Sequence, residues 1–251
     1  MQNNYFFAEC SSLAYHRGKF AKEQFNSIGF KSHTYLSVRG AQVHIVSNTG
    51  HIIIAFRGTE PQKLSDIKAD ITLFKRPAKS GQEGWVHMGF QKEVDKLWSH
   101  IRDYLLKQLK SRKLVITGHS LGASMATIVA ARLDNANFKI NGLYTYGSPR
   151  VGNESFKNSL DITHYRFVNN SDDVTKMPFY HWGYRHHGEL RYINSKGVVV
   201  LGTNVWKRAW DRLKGRWDGF KNKDYFDGLS DHSITGYADN LLEYVERTNE
   251  I

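Results

Sequence analysis

The sequence predicts an α/β protein, a mixed central sheet flanked by helices. Three observations carry that prediction: strand-like runs alternate with helix-like ones, the first strands follow one another across tight turns, and the most apolar helical stretch comes directly after a buried strand. Thr34 to Val38 and Val43 to Ser47 flank Arg39-Gly40, and HIIIAF at 51–56 follows across Asn48-Thr49-Gly50, which is the spacing of a β-meander. Gln91 to Lys110 carries Val94, Leu97, Trp98, Ile101, Leu105 and Leu109 at helical period with a polar opposite face, so it should cover one side of the sheet. LVIT at 114–117 reads as a buried strand. Leu121 to Leu133, apolar on nearly every side and bounded by Asp134-Asn135, reads as a buried helix. Gly142 to Tyr146 and Thr163 to Val168 read as further strands, Glu189 to Ile193 and Val198 to Leu201 as a hairpin, and Ile234 to Val245 as a closing helix.

Composition narrows the function classes. With 251 residues, 40% of them apolar, and no repeat or linker-like tract, the chain reads as one domain over 1–251. A lone Cys10 offers neither an internal disulfide nor a cysteine-based zinc site. The apolar runs at 52–56 and 198–201 are far shorter than the ~18 residues of a membrane span, which predicts a soluble protein. MQNNYFFAEC lacks the basic start and apolar stretch of a leader, so the expected location is cytoplasmic, or exported without a visible signal peptide. A net charge of +11 favours anionic surfaces. The basic residues are dispersed and no nucleic-acid signature is present, so an acidic phospholipid surface is the expected contact and nucleic acid is not.

The chemistry concentrates in TGHSLGAS at 117–124. Ser120 lies within Gly118-His119-Ser120-Leu121-Gly122, between a buried strand and a buried helix, the context of a nucleophile elbow. The glycines leave room where strand and helix approach, and the Leu121 N–H at the helix N-terminus can bind a developing oxyanion. An incidental serine in a glycine-rich turn is the alternative. A serine nucleophile needs a base and an orienting acid, in the order Ser, Asp, His. Asp172 and Asp173 lie in a polar loop after a strand, and either could be the acid or a turn residue. His232, in Asp231-His232-Ser233 before the last helix, could be the base or a helix cap. Thr59, at the end of the strand in IIIAFRGTE, offers a second oxyanion donor or a cap on the segment that follows. His186 and His187 are adjacent, which in a strand sends them to opposite faces, so they do not form a metal pair. No metal or cofactor is expected.

FRGT at 56–59, VHMGF at 86–90, GHSLGA at 118–123, YGSPRVGN at 146–153, the spacing of Asp172, Val174 and Pro178, and DHS at 231–233 occur in order. On these residues the chain resembles the class 3 lipase family, the fungal-lipase-like branch of the α/β-hydrolases, over roughly Ala8 to Glu246, as a bacterial-type member. The resemblance implies an α/β-hydrolase fold with a lid segment. It also implies Ser120 as nucleophile, Asp172 rather than Asp173 as acid, His232 as base, and Thr59 and Leu121 as the oxyanion hole. The lid position is Glu60 to Ile71, where charged residues dominate and the aromatic common on such lids is absent.

The expected function is a serine esterase or lipase cleaving acylglycerol ester bonds, a triacylglycerol-lipase-like carboxylic ester hydrolase. Phospholipase A-type hydrolysis is the runner-up, favoured by the basic balance. A non-catalytic hydrolase-fold binding module is the reading from another class, although such modules can lose a triad member and here all three remain. A thioesterase or acyltransferase would use the same triad. Val205 to Phe220 adds a lipid-facing candidate: Trp206, Trp210, Leu213 and Trp217 form one helical stripe among basic residues. The alternative is a helix packed on the domain with its basic face in water.

Overall fold

His51–Phe56 (β3) is where the hydrophobic alternation becomes a three-dimensional partition. Ile52, Ile54 and Phe56 point to one face of the sheet and Ile53 to the other, and all four are buried. The computed structural model describes residues 2–59, 74–79, 81–201 and 231–249. Among these, Ser32–Val38 (β1) and Ala41–Ser47 (β2) pair antiparallel with each other and β2 with β3, as the turn spacing predicted. Then β3, Lys113–His119 (β6), Ile140–Tyr146 (β7), His164–Asn169 (β8) and Glu189–Ile193 (β9) run parallel, and Val199–Leu201 (β10) closes the edge as a hairpin with β9. The sheet order is β1-β2-β3-β6-β7-β8-β9-β10.

One face is covered by Met88–Gln108 (α3) and Leu121–Asn135 (α4). Val94, Leu97, Ile101 and Leu105 of α3 are buried at the predicted period, while Trp98 and Leu109 are only partly buried. Helix α4 is buried continuously from Gly122 to Leu133 because sheet and α3 enclose it, which explains its lack of a polar side. Its Arg132 is buried and answered by Asp95 of α3 at 2.6 Å, with the Trp98 ring beneath the guanidinium. The opposite face is covered by Gln2–Leu13 (α1), Gly18–Ser27 (α2) and Ile234–Asn249 (α6), whose Phe7, Cys10, Phe25, Tyr237 and Leu241 join Val46, Ile53, Val115 and Phe167 of the sheet.

Helices α1 and α2 have no counterpart in the sequence reading, nor do the two-stranded pair Lys75–Pro77 (β4) and Trp85–His87 (β5) and the short helix Glu154–Asn158 (α5). The apolar residues of α1 follow no clear helical stripe, and tertiary contacts with β6, β7 and α6 hold it in place. Ser11 in α1 buries its hydroxyl on Thr117 of β6 at 2.7 Å. No helix among the described residues is long and apolar enough to cross a membrane. The lid candidate 60–71 and the tryptophan stripe at 205–220 lie outside the described residues.

Candidate active site

Strand β6 delivers Ser120 into a turn with φ 59° and ψ −128°, a left-handed conformation for a residue that is not glycine. That turn is tight because strand and helix nearly touch. A Cβ on Gly118 would stand 2.5 Å from the Gly122 carbonyl group, and one on Gly122 would overlap the Phe56 carbonyl oxygen at the end of β3. The Ser120 N–H donates to the Tyr146 carbonyl at 3.0 Å, which fixes the turn against β7. Leu121 opens α4, so its N–H is among the helix's first amides, which have no acceptor within the helix. Thr59 and Leu121 line one cavity of about 280 Å³ with Arg57, Gly58, Gln42 and Met125.

Asp172 and His232 meet below the surface. His232 Nδ1 is 2.9 Å from Asp172 Oδ2, and both side chains are completely enclosed. Asp172 Oδ1 accepts the Val174 N–H at 2.9 Å, and Oδ2 also accepts the Tyr237 hydroxyl at 2.6 Å. Burial, reinforced by the Asp172 charge, raises the Tyr237 pKa well above the usual phenol value, so that hydroxyl keeps its proton and donates it. It accepts the Asn169 N–H in turn. Asp173 instead reaches outward to Lys176 at 2.5 Å. The segment bearing His232 is tied to the end of β8 by Asp231, which accepts the Ser171 N–H at 3.0 Å, and by the Asn169 amide on the Asp231 carbonyl.

A carboxylate on Nδ1 sets the tautomer of His232 and leaves Nε2 for another partner. Ser120 Oγ and His232 Nε2 are both buried and have no hydrogen-bond partner among the described residues. Ser120 and His232 share neighbours on two sides. His119 touches the His232 carbonyl at 2.6 Å, and Gly147, next to the carbonyl that holds Ser120, has the His232 ring against its α-carbon. The sequence reading missed Tyr237, which lies one helical turn beyond Ser233, and the contacts of His119, which was visible only as a motif residue. His186 and His187 lie just before β9 rather than within a strand, and their rings take separate partners, His186 the Thr175 carbonyl and His187 His164. Among the described residues no group of three or more His, Cys, Asp or Glu is placed to hold a metal ion.

Residues 53–182, just over half of the chain, match the family model described as lipase (class 3). A secreted mono- and diacylglycerol lipase A of Penicillium cyclopium is 30% identical over 162 residues, covering 61% of this chain and 51% of the relative. A lipase of Rhizomucor miehei is 34% identical over 167 residues, covering 61% and 45%. The solved Rhizomucor miehei triacylglyceride lipase superposes with a TM-score of 0.67 at 25% identity, over 76% of this chain and 80% of that one. The chain spans about half the length of the curated relatives it matches. These relatives correct one expectation. The lipases matched over 162 to 192 residues, and the superposed Rhizomucor, Rhizopus and Penicillium structures, are fungal, so the bacterial-type assignment does not stand. The motifs that carry the resemblance are dictated by chemistry, and neither they nor a basic charge balance encodes lineage. With the fold, the strained turn at Ser120 and the residue match in agreement, the chain belongs to the class 3 lipase family.

Proposed function

We infer that this chain is a serine carboxylic ester hydrolase acting on acylglycerols, with Ser120 as nucleophile, His232 as base, Asp172 as acid, and Thr59 and Leu121 as the oxyanion hole. The observation that carries the reading is the enclosed His232–Asp172 contact, with the other imidazole nitrogen and the Ser120 hydroxyl both buried and lacking a hydrogen-bond partner among the described residues. In the reaction, Ser120 Oγ bonds to the ester carbonyl carbon while its proton passes to His232 Nε2. Asp172 holds Nδ1–H and stabilises the imidazolium, and the N–H groups of Thr59 and Leu121 receive the oxyanion. Collapse breaks the ester C–O bond, and the departing alcohol takes the proton from Nε2. Water, deprotonated by the same nitrogen, then releases the fatty acid and restores Ser120.

The names of the relatives, mono- and diacylglycerol lipases and a triacylglyceride lipase, support acylglycerols as the substrate class. Peripheral contact with an anionic lipid surface has separate support. Phe74, Phe179 and Tyr180 are exposed near Lys75 and Arg185, and the net charge is +11. That same charge favours phospholipase A-type cleavage as the second reading. Both faces of one sheet carry the two core clusters, which supports a single domain over 1–251, and 60–71 takes the lid role by its place directly after Thr59.

The test is fatty-acid release by wild type and Ser120→Ala from a triolein emulsion and from anionic phospholipid vesicles. Release from triolein that falls by about 10⁴-fold or more in the variant supports the lipase reading. Release from vesicles alone moves the assignment to phospholipid. Absence of Ser120-dependent release from both, and from a short-chain ester, refutes catalysis and leaves a binding module.

A further inference from the structure

His119, the residue before the nucleophile, is buried with both ring nitrogens engaged. Nδ1 is 2.7 Å from the Tyr15 hydroxyl, and Nε2 is 2.6 Å from the backbone carbonyl oxygen of His232. A carbonyl oxygen only accepts, so Nε2 carries a hydrogen. Burial, with His232 close by, holds the His119 pKa well below the usual imidazole value, so the ring is neutral and Nδ1 is a lone pair. Tyr15 must then be the donor, and burial pushes its hydroxyl pKa up so that the proton stays on. The polarity runs one way: Tyr15 O–H to Nδ1, then Nε2–H to the His232 carbonyl. The surroundings suit a neutral ring. His232 lies 4.5 Å away between ring centroids, Tyr237 lies 6.0 Å away, and the Arg57 guanidinium sits over the Tyr15 ring at 5.8 Å.

We propose that His119 is a positioning residue, which clamps the backbone of the base-bearing residue through the His232 carbonyl in a tautomer set by Tyr15. The proposal rests on the triad reading given above and adds a second restraint to it. Asp172 orients the His232 ring but does not fix the backbone from which the ring hangs. Asp231 and Asn169 anchor the preceding residue, and His119 anchors His232 itself. A neutral clamp is also an electrostatic requirement, since a cation in contact with His232 would oppose formation of the imidazolium. Tyr15 and His232 both lie outside residues 53–182, so the clamp joins an N-terminal and a C-terminal segment through one residue of the family core. Tyr15 does a further job, because its hydroxyl fills the space a Cβ would need on Gly58, the residue before Thr59.

Amide side chains separate the two nitrogens. Gln places an N–H donor near the position of Nε2, whereas Asn places one near Nδ1 and strands the His232 carbonyl. His119→Asn should lower kcat on p-nitrophenyl butyrate by about 10²-fold with KM changed less than about threefold, the expected cost of a base displaced by about an ångström. His119→Gln should recover kcat to within about tenfold of wild type, and Tyr15→Phe should lower it by about tenfold, since each loses one restraint of the chain. Thermal midpoints are measured beside the kinetics. Equal kcat for Gln and Asn variants of equal stability overturns the proposal. A long-range ¹H–¹⁵N spectrum of the wild-type protein decides the tautomer independently of any variant: Nε2–H on His119 supports the clamp, and Nδ1–H overturns it. The Ser120→Ala control keeps the two readings apart. Ser120-dependent turnover with no Gln-over-Asn difference sinks the clamp alone, while Ser120-independent turnover sinks the triad.

Discussion

Gly147→Ala perturbs the proposed site without removing any of its functional groups. Gly147 has φ +57°, and an added Cβ would stand 2.8 Å from His232 Cε1 and Nδ1 and 2.9 Å from Asp172 Oδ2, against 3.4–4 Å for ordinary contact. The shortfall is about 0.6 Å, and the neighbours have little freedom to yield: His232 and Asp172 are enclosed and held by Tyr237, the Val174 N–H and His119. If the imidazole absorbs the shift, kcat should fall by about 10–10²-fold, scaled from the roughly 10²-fold cost of a 1 Å misplacement. The left-handed backbone adds about 1–2 kcal/mol of destabilisation of its own. Gly18→Ala is the matched control, because Gly18 has φ +61° and nothing within 4 Å of its Cβ position. Gly18→Ala should lose only the backbone share of stability in urea titrations and Gly147→Ala that share plus the cost of the overlap, and only Gly147→Ala should lose turnover of p-nitrophenyl butyrate. Equal kcat for the two variants, at equal folded fraction, would refute the steric argument.

Three further outcomes are expected. Asp172→Asn should lower kcat by about 10⁴-fold because the neutral amide no longer enforces the His232 tautomer, while Asp173→Asn, half-exposed and paired with Lys176, should stay within about threefold; a reversed ranking in steady-state kinetics identifies the other carboxylate as the acid. Asp95→Ala should cost about 1–3 kcal/mol in urea unfolding, since it strands the buried Arg132 guanidinium without altering the proposed site. Acid should destabilise the fold through its buried imidazoles. Burial and the His33 neighbour push His44 down to about 3, and burial holds His164 and His186 well below their usual value, so the unfolded chain binds protons first. The stability from keeping each ring neutral is intact above about pH 6.5 and falls as pH drops towards the folded pKa, by up to about 1.4 kcal/mol per pH unit for each. An unfolding midpoint at pH 5 equal to or above that at pH 7.5 would contradict this.

What was legible in the sequence was whatever local pattern alone dictates. HIIIAF is strand β3 residue for residue because its turns and its alternation agree, and Leu121 to Leu133 is a helix because an apolar stretch opened by a glycine turn and too long for an ordinary strand satisfies its backbone within itself. Helix α1 was not legible. Phe7, Cys10 and Ser11 are buried by β6, β7 and α6, and a serine whose partner is a threonine 106 residues away leaves no local signal. Strands β4 and β5 are three residues each, and an isolated bridge from Val86 to Gly152 extends their pairing across a long sequence gap. At the proposed site, Ser120 and His232 stood out from their turn and loop contexts, whereas Asp172 was separated from Asp173 only by the family resemblance. Tyr237 did not stand out, since its hydroxyl is indistinguishable in sequence from the tip of any helical tyrosine facing a core.

The glycine after β7 follows from the sheet itself. Parallel strands β6, β7 and β8 end on the same edge, in register from His119 through Tyr146 to Phe167, so the residues that follow them share one rim. Ser120 follows β6 and Asp172 follows β8, two strands apart, a separation of about 9.5 Å across the sheet. No single hydrogen bond crosses that gap, but an imidazole bonded at both nitrogens can, provided it lies over the end of the strand between. The first residue beyond that strand must then present no side chain to the ring, and it must turn the chain sharply away. Gly147, with its positive φ and the His232 ring against its α-carbon, meets both conditions. The YGS that closes the strand is therefore as much a consequence of the proposed Ser-His-Asp geometry as GHSLG is, and a relative with a larger residue in place of Gly147 should have to route its base differently.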